Sequence, residues 1–529
     1  MRSSRHRRRL LRAAPAALVL AFAGCASPIV KPEAFDPDVL SRARSRGPLI
    51  TPDLDGEELL VADSVEWMRL RPGDDLTFVG LRPAAGKIAY CLALECVPER
   101  DLLVVLPLND GETPLTALGD GNRRAALTAS LRQYRQDPVG MDQLVSLSLR
   151  EAIDQKKLGP PIPDPRRVLA VAANFPSHLL HDLATDPPCL AAIAKTPPRI
   201  FLKFPPQPPP GTELPSELPF RGVIGPFDDI VHAALTWLPK DEGGTSNSVP
   251  TALDYEVELG IVIGKTLGWD DVREADDATL YAAVAGYLLV SDVKARNPQV
   301  YERALARKQS PQSWPPRYVT GDPDTDLIIG NWDETTCAWW SYAASLGDFT
   351  AVGPYFVASN GEPAMPAHDL LGARTYGAAT ERGYAIPGGR QADRFYLRQC
   401  ARATEEPGAR DQLLWCIPQI LRAALDPTGA LAPSKDASAL QPGDVIALGT
   451  PGGITLTVRH RKLYRLLGFL LFWWDARDWH DAFFGKDVAN YLHQGDRLFQ
   501  WGEGLGCQRM LIRSIAWPPP PGVVPEREK

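Results

Sequence analysis

The chain has 529 residues, of which 44% are hydrophobic and 23% are charged, and such a composition can bury a full globular core. The net charge of −7 argues against a surface that binds nucleic acid or another polyanion. The length predicts about two to four domains.

The first 25 residues have the pattern of an export signal. Six arginines precede a short apolar run at residues 14–23, and Cys25 follows that run. The run is too short to span a bilayer as a helix, which needs about 20 residues. The segment that ends in Cys25 resembles a bacterial lipoprotein signal. That resemblance implies that Cys25 is lipidated and that the mature protein is held on the membrane at the periplasmic face, with an uncleaved anchor as the alternative.

The patterns of apolar and turn residues divide the rest of the chain. Residues 26–165 are predicted to form a tether and a small α+β domain, because short apolar runs alternate with turn residues. Within it, segments 123–136 and 141–157 have apolar residues at helical spacing and predict two helices. A larger domain is predicted over 166–515, beginning with the strand-like segment VLAVAANF, and a proline-rich tail over 516–529.

Residues 253–265, LDYEVELGIVIGK, carry acids at every second position: Asp254, Glu256 and Glu258. Residues two apart on a strand point to the same face, so the three carboxylates are expected to project together. Carboxylates that are held close together raise one another's pKa unless a cation neutralises them, and Mg²⁺, Mn²⁺ and Ca²⁺ prefer oxygen ligands. The alternative is a half-buried strand whose acidic face lies in solvent.

A second acid, Asp292, lies at the end of the apolar segment GYLLVSD. The ordered segments DYEVELGIVIGK, AGYLLVSDVKARN and GDVIALGTPGG resemble the fumarylacetoacetate hydrolase family. Upstream, VLAVAANFPSH and PPRIFLKFP are similar to the family's catalytic-histidine loop and its lysine-bearing strand. Downstream, FTAVGPYFV and HQGDRLFQWGEGLG follow in the family's order. The resemblance covers roughly residues 165–515 and implies a mainly β, or α+β, fold with a rolled mixed β-sheet core and flanking helices.

The resemblance also implies a divalent-cation site, with Mg²⁺ preferred and Mn²⁺ or Ca²⁺ as alternatives. Its ligands would be Glu256, Glu258 and Asp292. The implied catalytic positions are His178 as general base toward water, with His181 and Asp182 close by in the chain. The positions that match substrate-contacting residues are Lys203, Arg296, Gln299 and Thr450. The implied reaction is metal-assisted cleavage of a carbon–carbon bond in a 1,3-dioxo or 2-oxo acid.

Two positions depart from the family's pattern. Family hydrolases carry a glutamate three residues after the catalytic histidine, where this chain has His181. They also carry a lysine just before FTAVGP, where this chain ends its preceding segment in Asp348. If water activation is lost, the alternative reaction is decarboxylation or isomerisation of a 2-oxo acid. If catalysis is lost, the alternative is a lipid-anchored binding protein on the same scaffold, and a homodimer is an open possibility in each case.

Two insertions relative to the family are expected, near 308–345 and 456–490. The second contains LLGFLLFWW, which is too short to cross a membrane, and basic residues precede it. One interpretation is an amphipathic helix that lies on lipid. The other is a helix that packs over the active site or at a subunit contact, because aromatic stripes are common in packed cores.

Overall fold

The computed structural model describes most of the chain between residues 61 and 517. The described residues are 61–71, 73, 75–82, 87–179, 190–191, 193–203, 222–235, 252–296, 341, 343–359, 374–381, 385–386, 390–391, 395–403, 413–426, 439–454 and 491–517. The predicted signal with Cys25, the insertion at 456–490 and nearly all of the insertion at 308–345 lie outside these ranges. None of the described helices is long and apolar enough to span a bilayer.

Strands dominate the described ranges. Their bounds are β1 Thr77–Leu81, β2 Ala89–Val97, β3 Leu102–Pro107, β4 Val145–Ser148, β5 Leu158–Gly159, β6 Val168–Ala172, β7 Arg199–Lys203, β8 Val223–Ile224, β9 Ile230–Leu235, β10 Leu253–Ile263, β11 Val284–Ala295, β12 Thr350–Ala358, β13 Thr375–Glu381, β14 Ala385–Ile386, β15 Arg390–Gln391, β16 Phe395–Arg402, β17 Val445–Ala447, β18 Arg497–Gly502 and β19 Gly506–Trp517. The longest are β10, β11 and β19, and long strands of this kind can form the middle of a large sheet.

The helices in the described ranges are short. Their bounds are α1 Pro114–Gly119, α2 Gly121–Gln136, α3 Leu149–Asp154, α4 Trp269–Glu274, α5 Asp277–Tyr281 and α6 Ile417–Leu425, with 3-10 turns at Val61–Met68, Pro98–Arg100 and Pro138–Gly140. Helix α2 confirms the first predicted helix. It begins where Asp120 Oδ1 accepts hydrogen bonds from the backbone N–H groups of Asn122 and Arg123, at 2.9 and 3.2 Å.

The second predicted helix, at 141–157, is wrong in its first half. Residues Val145–Ser148 form β4, which pairs antiparallel with β3, and only Leu149–Asp154 is helical. Ser148 ends the strand and caps the helix, because its hydroxyl accepts a hydrogen bond from Glu151 N at 3.1 Å. The edge of β3 offers backbone partners to this segment, and that tertiary pairing overrides the helical spacing of its apolar residues.

One large sheet forms the centre of the fold. Its strands run in the order β4-β3-β2-β1-β12-β11-β10-β17-β6-β7, with β5 paired to β1 and β8 paired to β12. Most neighbours are antiparallel, whereas β17 and β6, and β12 and β8, pair in parallel. A second sheet has the order β16-β13-β18-β19-β9. The predicted mainly β, or α+β, fold with a mixed β-sheet core is confirmed.

The N-terminal strands extend the central sheet. Strand β1 pairs with β12, in a register that places Thr77 opposite Val357 and Phe78 opposite Phe356. Strands β2, β3 and β4 then add to β1 in turn. Backbone hydrogen bonds therefore continue from the N-terminal region into the strands that carry the acidic residues.

Three buried glutamines of the second sheet hydrogen-bond to the backbone of the central sheet. Gln508 Nε2 donates to the carbonyl oxygens of Leu289, Ala351 and Gly353, at 3.0 to 3.2 Å. Gln500 Nε2 donates to a β10 carbonyl oxygen, that of residue 256, at 3.3 Å. In addition, Gln399 Oε1 accepts from a β10 amide, that of residue 257, at 3.0 Å. Buried backbone groups need such partners, so these bonds fix the second sheet against β10, β11 and β12.

The close pairing of β11 with β12 gives a stability prediction at Gly286. A methyl group at this position would overlap the carbonyl oxygen of Val357 and lie 2.8 Å from the ring of Phe356. We expect Gly286→Ala to lower the free energy of unfolding by about 1–3 kcal/mol, the usual cost of overpacking a core. A thermal melt of the two proteins measures the effect.

The matched control is Gly121→Ala in α2, where a methyl group would have no neighbour within 4 Å. We expect this variant to melt at the wild-type temperature or slightly above it, because alanine loses less backbone entropy than glycine on folding. Equal melting of the Gly286 variant and the wild type would contradict the described pairing of β11 with β12.

Candidate metal centre

Two neighbouring strands place the acidic residues on one face of the sheet. Strands β10 and β11 pair antiparallel, with Glu256 opposite Asp292 and Asp254 opposite Lys294. Side chains directly opposite one another on antiparallel strands lie about 4.5–5.5 Å apart at Cβ. The register therefore brings a like-charged pair, Glu256 and Asp292, into contact distance.

The three predicted metal ligands converge. Glu256, Glu258 and Asp292 each offer a carboxylate oxygen, and these oxygens all lie within 4.8 Å of one another. The side chains are buried, with exposed fractions of 4% for Glu256, 1% for Glu258 and 0% for Asp292. The alternative of an acidic face in solvent is therefore wrong for β10. Buried carboxylates at this spacing need positive charge beside them.

Two lysines provide part of that positive charge. The Lys203 ammonium, on β7, donates to Asp292 Oδ1 and to the carbonyl oxygen of Phe349. The Lys294 ammonium donates to Glu256 Oε2 and lies 3.0 Å from Asp292 Oδ2. Both lysine side chains are only 2% exposed. Each ammonium therefore lies within the acidic cluster and not at its solvent edge.

Arg296 provides the third positive charge. Its Nε donates to Asp254 Oδ2 at 3.0 Å, and its Nη2 donates to Glu256 Oε1 at 2.6 Å. Burial lowers the pKa of the guanidinium, but Asp254 and Glu256 more than offset this, so the net shift of its pKa is upward. In this structure Arg296 holds two carboxylates of the chain itself, and its predicted contact with substrate stays a prediction.

Glu258 has no described hydrogen bond or ion pair with any of the three cations of this cluster. Its Oε2 accepts a hydrogen bond from Gly449 N at 2.7 Å. Burial, and then the nearby Asp292 carboxylate, raise the pKa of Glu258 well above its usual value. When fully ionised, the cluster of four carboxylates and three cations carries one excess negative charge. Its members are Asp254, Glu256, Glu258, Asp292, Lys203, Lys294 and Arg296.

The two lysines differ in how the cluster shifts their pKa. Burial alone would raise the pKa of Asp292. The two lysines lower it by more, so the pKa of Asp292 lies below its usual value. Burial lowers the pKa of Lys203 further than its one carboxylate partner restores it. For Lys294, burial also lowers the pKa, but Asp292 and Glu256 together shift it above its ordinary value. Lys294 is thus the lysine that the acids stabilise more strongly as a cation.

The donor set fits a divalent cation. All three converging side chains offer carboxylate oxygens, the ligands that Mg²⁺ and Ca²⁺ prefer. Asp292 Oδ2 is buried and accepts no hydrogen bond from a described residue, although Lys294 lies beside it. An acidic trio of this kind could hold a divalent metal ion, and the donor chemistry does not select among Mg²⁺, Mn²⁺ and Ca²⁺.

The glycine-rich turn after β17 joins this cluster to the segment of His178. Gly449 has a φ of +100° and lies so close to Asn174 that a methyl group there would be 2.8 Å from the Asn174 Cβ. Gly452 N donates to Ser177 Oγ at 3.2 Å, and a methyl group on Gly452 would lie 3.4 Å from the backbone nitrogen of His178. The buried His178 therefore lies in a short helical segment, 176–179, that packs against the turn whose amide binds Glu258.

A match to a known protein family covers the strands that carry the acidic residues. Residues 217–316 match the family model for the C-terminal domain of fumarylacetoacetate (FAA) hydrolase, and this range contains all three converging acids. Residues 217–316 are therefore similar to the C-terminal domain of the fumarylacetoacetate hydrolase family. The resemblance predicted from the sequence is thereby confirmed, and the match indicates an enzyme without fixing its reaction.

The chain is also similar to several solved structures at low sequence identity. One is a probable 2-hydroxyhepta-2,4-diene-1,7-dioate isomerase from Mycobacterium abscessus (20% identity, 83% of this chain and 99% of that chain, TM-score 0.39). Others are a 5-carboxymethyl-2-hydroxymuconate delta-isomerase from Mycobacterium smegmatis (17% identity, 83% and 100%, TM-score 0.39) and a maleylpyruvate hydrolase from Sphingobium sp. SYK-6 (16% identity, 83% and 100%, TM-score 0.38). A search of curated proteins finds no match.

Three residues predicted for the site lie outside the described residues: His181, Asp182 and Gln299. Asp348, which stands where the family pattern has a lysine nearby, is buried, and its Oδ1 accepts a hydrogen bond from Gly222 N at 3.0 Å. Asp348 thus brings a further carboxylate to the region in which the family pattern has a cation.

Thr450 lies in the glycine-rich turn and has a defined partner. Gln399 Nε2 donates to Thr450 Oγ1 at 2.9 Å, and Gln399 Oε1 accepts from the backbone of Val257. One glutamine thereby connects the threonine to β10 between Glu256 and Glu258. This position is compatible with the predicted contact between Thr450 and substrate, which stays a prediction.

Sequence reasoning missed the roles of Lys294 and Gln399 in this domain. Lys294 had a usable signal, because it lies two residues after Asp292 on one strand, and alternation places both on the same face. Gln399 had no signal in the sequence, because it lies on β16 of the second sheet and contacts β10 only in the folded chain.

The contact between Lys203 and Asp292 predicts a large effect on stability. Lys203→Met keeps the length of the side chain but leaves Asp292 with one buried cation fewer. We expect the free energy of unfolding to fall by about 3–5 kcal/mol, the usual cost of removing one partner of a buried ion pair. Thermal or urea denaturation in the presence of EDTA measures the loss.

Arg273→Met is the matched control, because Arg273 forms exposed ion pairs with Asp270 and Glu274 on α4. Exposed pairs contribute little, so this variant should unfold like the wild type. Wild-type stability of the Lys203 variant would contradict the described contact with Asp292.

Proposed function

We propose that the protein is a divalent-metal-dependent enzyme of the fumarylacetoacetate hydrolase type, and that it cleaves a carbon–carbon bond in a 1,3-dioxo or 2-oxo acid. The observation that carries the proposal is the convergence of Glu256, Glu258 and Asp292 within 4.8 Å in a buried cluster. The family match over residues 217–316 supports the same conclusion.

The charge of the cluster suits an anionic substrate. The seven ionisable groups carry one excess negative charge when all are ionised, so a bound divalent cation would change that excess to one positive charge. A site with positive charge attracts the carboxylate of an oxo acid, and the buried surroundings strengthen that attraction. The charge balance thus supports an anionic substrate, a class to which the proposed oxo acid belongs.

In the proposed site, Glu256, Glu258 and Asp292 would hold the cation, with Mg²⁺ as the proposed ion. When bound, the cation supplies Lewis-acid polarisation of a substrate carbonyl group. Lys203 holds Asp292 in place from β7, and Gly449 N orients Glu258 from the glycine-rich turn. Ligands that are fixed by such outer contacts lose less freedom when the ion binds.

Two further residues have proposed roles toward the substrate. His178 is the proposed general base toward water, since its segment packs against the turn at Gly452. Thr450 is the proposed substrate contact, with its hydroxyl oriented by Gln399. His178 is linked to the cluster through the segment 449–453, and Thr450, which lies in that segment, is also linked to β10 through Gln399.

Decarboxylation or isomerisation of a 2-oxo acid is the second candidate. One observation favours it: position 181 is a histidine where family hydrolases have an acid that helps to activate water. Neither reaction needs an activated water molecule, so both would tolerate this change better than hydrolysis does.

The proposed place of action is the periplasmic face of a bacterial envelope. The sequence up to Cys25 carries this part of the proposal, and it lies outside the described residues. Mass spectrometry of the mature N-terminus tests it. A lipid-modified Cys25 supports the location, and an intact N-terminus that begins at Met1 contradicts it.

Loss of Glu256 tests the proposed function. We expect Glu256→Gln to lose bound metal and to reduce turnover by more than about 100-fold, a loss larger than removal of an outer partner of a metal ligand causes. Elemental analysis of the purified protein measures the metal. Assays with acylpyruvates and oxaloacetate measure the reaction, and their products distinguish hydrolysis from decarboxylation.

The control for this experiment is Glu274→Gln, which changes an exposed glutamate of α4 that pairs with Arg273. It should keep the wild-type metal content and turnover. If Glu256→Gln also keeps both, the acidic cluster is not the site. If the wild type binds metal but turns over none of these substrates, a binding protein on the same scaffold replaces the proposed enzyme.

A further inference from the structure

We propose that Lys294 is a built-in cation that competes with a divalent metal ion for Glu256 and Asp292. Its ammonium donates a hydrogen bond to Glu256 Oε2 and lies 3.0 Å from Asp292 Oδ2. These two carboxylates belong to the trio that converges as the candidate metal centre. A metal ion bound to both would have the ammonium as a close neighbour of like charge, and like charges repel strongly in a buried site.

The fold holds the Lys294 ammonium at this position. Strand β11 places Lys294 two residues after Asp292 and opposite Asp254, so its side chain lies on the acidic face of the sheet. Its Nζ also lies 4.8 Å from the centre of the Phe201 ring, a distance suited to a cation–π contact. With two carboxylates and an aromatic face around it, the ammonium stabilises the cluster when no metal is bound.

Lys203 differs from Lys294 in this respect. The Lys203 ammonium contacts one oxygen of Asp292 and a backbone carbonyl oxygen, that of Phe349. Of the two lysines, Lys294 is the one that bridges two members of the acidic trio within the described residues. Lys294 is therefore the residue whose removal should free the trio for a metal ion.

The inference deepens the proposed function, because it concerns the same centre, but it depends on metal binding alone and not on any reaction. It predicts that the wild type binds divalent metal more weakly than its three carboxylates would allow. It also predicts that the metal-free wild type is more stable than a variant without the ammonium, because the buried carboxylates then lose a counter-charge.

The test is calorimetric titration of the full chain with MnCl₂, after purification in Mn²⁺ and removal of the metal with EDTA. We expect Lys294→Met to lower the Kd for Mn²⁺ at least about tenfold relative to the wild type, because a competing buried charge is gone. The metal-free variant should melt below the wild type and gain more from added Mn²⁺. Arg273→Met removes an equal charge at an exposed site on α4 and should bind Mn²⁺ as the wild type does.

Each outcome decides the inference. Equal Mn²⁺ affinity of the wild type and Lys294→Met overturns it, and so does the absence of Mn²⁺ binding in both proteins. If Lys294→Met does not fold, Lys294→Gln carries the same test, because it removes the charge and keeps a hydrogen-bond donor. Tighter Mn²⁺ binding without turnover of any oxo acid would leave the inference standing and refute the proposed function. Turnover of an oxo acid, together with an unchanged Mn²⁺ affinity in the variant, would support the proposed function and refute the inference.

Discussion

The burial of four carboxylates in the middle of a β-sheet is the constraint on which the rest of this structure depends. An unpaired carboxylate in such surroundings is costly, so each one needs a cation or a directed hydrogen bond. Three of them find cations on β7, on β11 or directly after β11, and Glu258 is held by the amide of Gly449. The arrangement of β7, β10, β11 and the turn after β17 follows from this need as much as from apolar packing.

The second sheet contributes to the site through hydrogen bonds and not through charge. Gln500 and Gln399 bind the two polar groups of one β10 peptide unit, the carbonyl oxygen of Glu256 and the N–H of Val257. Gln399 also holds Thr450 in the glycine-rich turn, so one side chain couples the strand of the carboxylates to the proposed substrate contact. A change in how the two sheets pack would therefore move the acidic strand and the turn together.

The family match and the structure support different parts of the site. The matched range, 217–316, contains the carboxylates together with Lys294 and Arg296. His178 and Thr450 lie outside that range, and the structure connects them to the acids through Gly449 and Gly452. The family match and the structure therefore both support the acidic residues as part of the site. The residues proposed to act on substrate are supported by packing contacts alone. A lysine between two carboxylates also distinguishes this site from one built for a metal ion alone.

The sequence by itself determined the mainly β class, the alternating acids of β10 and the later Asp292. Alternation with period two fixes which side chains share a face of a strand whatever the strand pairs with. The tertiary structure decided what faces those acids. That Glu256 lies opposite Asp292, that Lys203 reaches the same carboxylate from β7, and that the segment at 145–148 is strand depends on pairing between distant parts of the chain. Strand register and sheet order result from long-range packing, which local sequence patterns do not encode.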